Sequence, residues 1–196
     1  MVKPSFSFSR THVPILSSKQ IEQIAIDILE DYYPDMLAHP QPLDVDRFLE
    51  QYLHVTMDYK FLTHCRLYLG MTVFSDTDKV AVYNPEKDQA EYISCKARTV
   101  ILDNCLLDES QEHRYAFTGA HEGSHVILHP DYFDAQKARA IYEPPIMQCQ
   151  AEERRSGRSG RTDRDWLEWQ ADTLGAALLM PFPAVQRAVA RAKIKS

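Results

Sequence analysis

The chain has 196 residues, of which 44% are hydrophobic and 26% are charged, and its formal net charge is −6. This length and composition predict a single globular domain over residues 1–196 with a sizeable core. The negative charge argues against a general nucleic-acid-binding surface, so direct binding of nucleic acid is not expected. No apolar run approaches the roughly 18 residues that cross a bilayer, and the N-terminus lacks the apolar core of a signal peptide. We therefore expect a cytoplasmic protein with no membrane partner.

Residues 17–55 predict two N-terminal amphipathic helices. Ser17 or Ser18 is suited to cap the first helix, and Pro34 lies beyond its end. A proline-containing linker follows, after which Asp44 is suited to cap the second helix.

A short sheet is predicted after these helices. The runs 69–74 and 79–85 contain the β-branched and aromatic residues that are typical of strands. The Ser-Asp-Thr-Asp sequence between them suits the turn of a hairpin. A third strand is predicted over residues 97–104.

The second half of the chain is mainly helical. One helix is predicted from Asp108 or Ser110 to Pro130. Another begins at Thr162, which can form a capping box with Asp165, and a short basic helix closes the chain. Helices followed by a small sheet and further helices indicate an α+β fold.

The cysteines offer no metal-binding pair. Cys65, Cys95, Cys105 and Cys149 are widely spaced, so no CxxC sequence occurs. In a cytoplasmic chain we expect reduced thiols that are mostly buried. Any metal would then be bound by histidine and carboxylate side chains.

The helix that ends at Pro130 contains the sequence His-Glu-Gly-Ser-His. At about 100° per residue, His121 and His125 point the same way, beside an apolar stripe centred near Phe117 that we expect to face the core. Glu122 is expected further toward solvent. Metal-assisted peptide hydrolysis needs two imidazoles one turn apart on the metal and a neighbouring glutamate that takes a proton from its water. Glu122 is therefore the candidate general base.

The last long helix offers a third ligand. A catalytic zinc site uses three protein ligands and keeps one open position. Glu168 and Asp172 lie one turn apart on one face of this helix, with Gly175 on the same face to permit close approach. We expect Glu168 to be the third ligand and Asp172 to hydrogen-bond the outer nitrogen of a ligand histidine. The alternative is a pair of solvated carboxylates.

Other side chains near the motif have two interpretations each. His129 either approaches the site or, in the interpretation we prefer, acts as a cation at the helix C-terminus. Tyr132 and Tyr142 can donate to the oxyanion of a tetrahedral intermediate, but with ten tyrosines in the chain we prefer packing for both. The Arg-rich loop 154–164 can bind an acidic partner or DNA phosphates. Neighbouring acidic residues reduce its net charge, so we prefer a solvated loop.

Two segments resemble the ImmA/IrrE-like metallopeptidases of bacteria and phages. They are RYAFTGAHEGSHVILHP and EWQADTLGAALLMP, and the clear likeness covers about residues 99–181. One departure is Ser124, where members of the family commonly have glycine.

The resemblance implies a small gluzincin-like domain, in which a short sheet packs on the HExxH helix and an ExxxD helix completes the site. It implies zinc bound by His121, His125 and Glu168, and Glu122 as the catalytic residue. It also implies a helix-turn-helix transcriptional repressor as the substrate.

The leading hypothesis is a zinc-dependent endopeptidase that cleaves a regulatory protein. The alternative is a metal-stabilised antirepressor that binds and sequesters a repressor without cutting it. A DNA-binding regulator that uses the arginine loop is a third hypothesis, which the acidic chain does not favour.

Overall fold

Helices flank a small sheet in the computed structural model, which describes residues 4–138, 146–150 and 162–194. Within these ranges the helices are α1 (Ser18–Tyr32), α2 (Asp35–Ala38), α3 (Val45–Arg47), α4 (Glu112–Leu128), α5 (Pro130–Ala138), α6 (Asp163–Leu179) and α7 (Phe182–Ile194). The strands are β1 (Thr56–Lys60), β2 (Tyr68–Val73), β3 (Thr77–Asn84), β4 (Gln89–Cys95), β5 (Thr99–Asp103) and β6 (Ile146–Gln150). A π-helical turn (Phe48–Tyr52) continues α3, and the 3-10 turns Asn104–Leu107 and Glu109–Gln111 precede α4. The predicted α+β class is confirmed.

Local sequence signals set several helix boundaries as predicted. Ser17 caps α1 in a capping box with Gln20, and Asp44 accepts a hydrogen bond from the backbone of α3. Thr162 caps α6 in the capping box predicted with Asp165. α4 ends before Pro130, which begins α5, because proline is well tolerated in the first turn of a helix.

The main sheet has the strand order β1-β5-β2-β6, and β3 and β4 form a separate ribbon. β1 is parallel to β5, whereas β2 is antiparallel to both β5 and β6. The predicted hairpin between β2 and β3 is therefore wrong. Both edges of β2 are taken by strands from later in the chain, and β3 instead forms its hairpin with β4.

The two faces of β2 bury different groups. Met71 and Val73 point toward the ribbon and pack with Val80 and Val82. Thr72, between them, contacts α4 on the opposite face. This alternation follows from the two-residue period of a strand. The ribbon covers one face of the sheet, so α4 and the candidate site lie on the other.

The helix α4 packs against both β2 and α6, and α1 packs on α6. Four apolar residues at helical spacing along α6 are fully buried: Leu167, Ala171, Leu174 and Leu178. This packing brings the two motif-bearing helices side by side. None of the helices in the described ranges is both long enough and apolar enough to cross a bilayer.

The cysteine side chains depart from expectation. Cys65 is exposed, and Cys95 and Cys105 are only partly buried, so the expectation of mostly buried thiols is wrong for these three. They lie in or beside turns and strand ends rather than in the core, and all three are free thiols.

Candidate metal centre

Two imidazoles of α4 meet at the face that contacts α6. His121 and His125 are almost completely buried, and their Nε2 atoms lie 3.0 Å apart. The predicted orientation of α4 is wrong in one respect: Phe117 is 37% exposed, whereas Glu122 is fully buried. The sheet and α6 bury α4 on more than one side, so a single apolar stripe does not describe its packing.

Glu168 of α6 completes a group of three possible ligands. Its Oε2 lies 3.2 Å from His121 Nε2, and its Oε1 lies 3.7 Å from His125 Nε2. One ligand atom from each residue can be chosen such that all three lie within 4.8 Å of one another. In the part of the chain that the structure describes, these three residues form a group able to hold a metal ion.

Asp172 contacts the outer nitrogen of His121. Its Oδ1 lies 2.8 Å from His121 Nδ1. Because a carboxylate only accepts hydrogen bonds, Nδ1 of His121 carries the ring hydrogen and donates a hydrogen bond to Asp172. In the neutral ring, the lone pair is then on Nε2, which faces His125 and Glu168. This is the tautomer that a metal ligand requires.

The protonation states of His125 and Glu168 favour the binding of a cation. Burial lowers the pKa of His125, so this imidazole is neutral at physiological pH. Burial alone raises the pKa of Glu168, but its contacts with His121 and His125 lower it by more, to below its usual range. A neutral imidazole and an ionised carboxylate are the forms that bind metals.

His129 lies behind His125. Its ring is fully buried, its Nδ1 is 2.8 Å from His125 Nδ1, and its Nε2 is 3.1 Å from Gln170 Oε1. Burial lowers its pKa well below the usual value, so His129 is neutral. The preferred interpretation as a helix-end cation is therefore wrong, although the backbone of His129 does end α4.

Glu122 faces β2 rather than solvent. Thr72 Oγ1 donates a hydrogen bond to Glu122 Oε2 at 2.5 Å. A β-carbon placed on Gly70 would lie only 2.5 Å from Glu122 Oε1, so the glycine leaves the space that this carboxylate occupies. Neither partner was predicted, since Thr72 and Glu122 are 50 positions apart and nothing in the sequence of β2 indicates the contact.

The remaining candidates lie apart from this group or outside the described residues. Tyr132 is buried in an apolar cluster with Val13, Phe133, Met147 and Leu167, which favours the packing interpretation. Tyr142 and the arginines at 154, 155, 158 and 161 lie outside the described residues. Arg164, in the first turn of α6, is exposed.

No protein-family model and no curated protein matches this chain.

Proposed function

We propose that the protein is a zinc-dependent endopeptidase that cleaves a regulatory protein, with Glu122 as general base. The observation that carries this proposal is the convergence of His121 Nε2, His125 Nε2 and the Glu168 carboxylate, with Glu122 adjacent to His121 in the chain. The ImmA/IrrE-like motifs and the gluzincin-like arrangement that they imply point to the same reaction.

The distances within the group suit zinc. Zinc bound tetrahedrally, with bonds of about 2.0–2.1 Å to nitrogen and oxygen, holds its ligand atoms about 3.3 Å apart. The distances from His121 Nε2 to His125 Nε2 and to Glu168 Oε2 are 3.0 and 3.2 Å, and that from His125 Nε2 to Glu168 Oε1 is 3.7 Å. Two imidazoles and one carboxylate are also a donor set used by catalytic zinc sites, which leave one position open.

Glu122, Thr72 and Asp172 have separate roles in the proposed hydrolysis. Zinc, when bound, lowers the pKa of a water molecule and polarises a carbonyl oxygen. Glu122 takes the proton of the attacking water and passes it to the leaving amine as the C–N bond breaks. Thr72 holds the Glu122 carboxylate through its hydrogen bond, and Asp172 keeps His121 in the ligand tautomer.

The substrate class follows from the resemblance alone. We propose a helix-turn-helix transcriptional repressor, whose cleavage relieves repression. The negative net charge of the chain favours a protein partner over direct contact with nucleic acid.

One observation favours a second function. Glu122 has no exposed surface, so water and substrate do not reach it in this conformation. A protein that binds a repressor without cutting it needs the metal for stability but has no need of an accessible base. A metal-stabilised antirepressor is therefore the second candidate.

Two variants separate these functions. Each is incubated with a purified helix-turn-helix repressor, and new termini are identified by mass spectrometry, while zinc content is measured in parallel. A peptidase predicts that Glu122→Gln binds zinc but cleaves about 10²–10⁴-fold more slowly, because the general base is lost. His125→Ala loses both zinc and cleavage.

The outcomes differ between the candidates. If the parent leaves the repressor intact, and Glu122→Gln still relieves repression while His125→Ala does not, the antirepressor function is correct. A parent protein that remains metal-free after zinc is supplied contradicts both.

A further inference from the structure

A chain of buried hydrogen bonds connects the segment before α1 with the candidate metal centre. Gln170 Nε2 donates to the carbonyl oxygen of Pro14 at 2.7 Å, and Gln170 Oε1 lies 3.1 Å from His129 Nε2. His129 Nδ1 in turn lies 2.8 Å from His125 Nδ1. Gln170, His129 and His125 are each at most 1% exposed, so water does not replace these partners.

The donor and the acceptor of each hydrogen bond in this chain of bonds can be assigned by starting at Pro14. A backbone carbonyl only accepts, so the amide nitrogen of Gln170 must face Pro14 and its amide oxygen must face His129. That oxygen also only accepts, so His129 Nε2 carries a hydrogen. His129 is fully buried, and its two ring nitrogens contact an imidazole and an amide oxygen rather than a carboxylate, so the ring is neutral and its Nδ1 has a lone pair. His125 Nδ1 must then carry the hydrogen that this lone pair accepts.

The alternative arrangement competes directly with metal binding. His125 Nε2 lies 3.0 Å from His121 Nε2. His121 Nε2 has a lone pair, because the hydrogen of this ring is on Nδ1 and is donated to Asp172. Without the chain of bonds behind it, His125 could carry its hydrogen on Nε2 and donate it to His121, which would block the position that a metal needs. In that arrangement lone pairs would face each other between His125 and His129, or between His129 and Gln170.

We propose that His129 and Gln170, anchored by the Pro14 carbonyl, are positioning residues that hold His125 in the tautomer with a free Nε2 lone pair. The metal-binding part of this inference rests on the proposed function. The tautomer itself follows from the bonds that begin at Pro14. It leaves the Nε2 lone pairs of His121 and His125 facing each other 3.0 Å apart, an arrangement that a cation between them stabilises. The segment before α1 therefore has a role in the site, because the chain of bonds begins there.

The Pro14 carbonyl is held in place by packing as well as by hydrogen bonds. Val13 is buried in the cluster that includes Leu167 of α6, three positions before Gln170. Pro14 pairs with Phe8 in an isolated β-bridge, and Ser9 Oγ accepts a hydrogen bond from the backbone of Val13. These contacts fix the Pro14 carbonyl against α6, so it can orient the Gln170 amide.

The first test is nuclear magnetic resonance of the metal-free parent with ¹⁵N-labelled histidine. Long-range ¹H–¹⁵N spectra at a pH well above the usual imidazole pKa report which ring nitrogen carries the hydrogen. His125→Asn and His129→Asn identify the two sets of signals. We expect hydrogen on Nδ1 of His125 and on Nε2 of His129. Hydrogen on Nε2 of His125 would overturn the proposal, whether or not the protein binds zinc.

The second test uses a matched pair of glutamine-to-leucine substitutions, one at Gln170 and one outside the chain of bonds. Gln170→Leu keeps the approximate size but removes the acceptor for His129, so we expect mixed tautomers at His125 and zinc binding weakened about tenfold. Gln136→Leu makes the same change at a buried glutamine outside this chain of bonds, so we expect the parent tautomer and a zinc affinity within about threefold of the parent. Affinity is measured by competition with a chromophoric chelator, and folding by circular dichroism without metal.

A folded Gln170→Leu variant with the parent tautomer at His125 contradicts the proposal, because a purely structural glutamine would leave that signal unchanged. If this variant does not fold, the tautomer of His125 in the spectrum of the parent protein tests the proposal. A parent that binds no zinc while showing the expected tautomers refutes the proposed function but leaves the tautomer assignment in place.

Discussion

Gly175 of α6 lies directly against the backbone of His121 on α4. A β-carbon at Gly175 would be 3.1 Å from the His121 nitrogen and 3.3 Å from the carbonyl carbon of Ala120. Both neighbours are helical backbone, which does not move aside as a flexible side chain does. The approach of the two helices, and with it the distance from Glu168 to the histidines, therefore depends on the absence of a side chain at position 175.

Substitution of Gly175 should weaken metal binding more than folding. In Gly175→Ala, a helix preference of about 1 kcal/mol for alanine offsets part of the cost of the close contact, so metal-free stability should change little. Gly175→Val should cost about 1–3 kcal/mol, because the larger side chain forces the helices apart. Both should bind zinc more weakly than the parent in chelator competition. A Gly175→Val variant with the parent zinc affinity would show that zinc binding does not depend on the separation of the two helices.

The contact between Asp172 and His121 should contribute to metal affinity. Asp172→Asn keeps an acceptor for His121 Nδ1 at 2.8 Å but removes the charge, so zinc affinity should decrease by about tenfold. Asp163→Asn, in the first turn of the same helix, provides a control with the same chemical change. Chelator competition on both variants measures the difference. Equal affinities for Asp172→Asn and Asp163→Asn would refute a role for this carboxylate.

The hydrogen bond from Thr72 to Glu122 can be tested with a conservative pair. Thr72→Val removes the donor at a buried position, so unfolding free energy should decrease by about 1–3 kcal/mol. Cleavage should fall further than zinc content does, since the carboxylate loses its position while the ligands remain. Thr72→Ser keeps the hydroxyl and should retain most of both. Chemical denaturation and the repressor-cleavage assay give the two measurements; equal behaviour of valine and serine would contradict this role.

The free thiols should differ in reactivity. Burial, followed by a hydrogen bond to Asp103, raises the pKa of Cys105 to about 11. At pH 8 only about one in a thousand Cys105 thiols would then be ionised, and the thiolate is the reactive form. Iodoacetamide should therefore modify the exposed Cys65 first.

Mass spectrometry of the peptides that contain each cysteine follows this reaction. The rate at Cys105 should increase as the pH rises toward its pKa, and unfolding in guanidinium should remove the difference between the two sites. Rapid modification of Cys105 at pH 8 in the folded protein would show that its environment does not suppress ionisation.

Features that depend on neighbouring residues were predictable. The capping boxes at Ser17 and Thr162, the one-turn spacing of His121 and His125, and the shared face of Glu168 and Asp172 all follow from helix geometry over a few positions. The spacing also indicated that Gly175 allows a close approach. These features were sufficient to identify the two helices that carry the candidate ligands.

Features that depend on distant residues were not predictable. The β2–β3 hairpin failed because strand pairing is decided by competition among all strands, and β5 and β6 take both edges of β2. The burial of Glu122 depends on Thr72, which is 50 positions away.

The sequence by itself determined which side chains face the same way on each helix, because the α-helical repeat is set by local backbone hydrogen bonds. Only the tertiary structure decided that Glu168 meets His121 and His125, and that Gln170 joins the Pro14 carbonyl, 156 positions away, to His129. Such contacts form where packing of the whole chain brings remote segments together, and no local pattern encodes which segments those are.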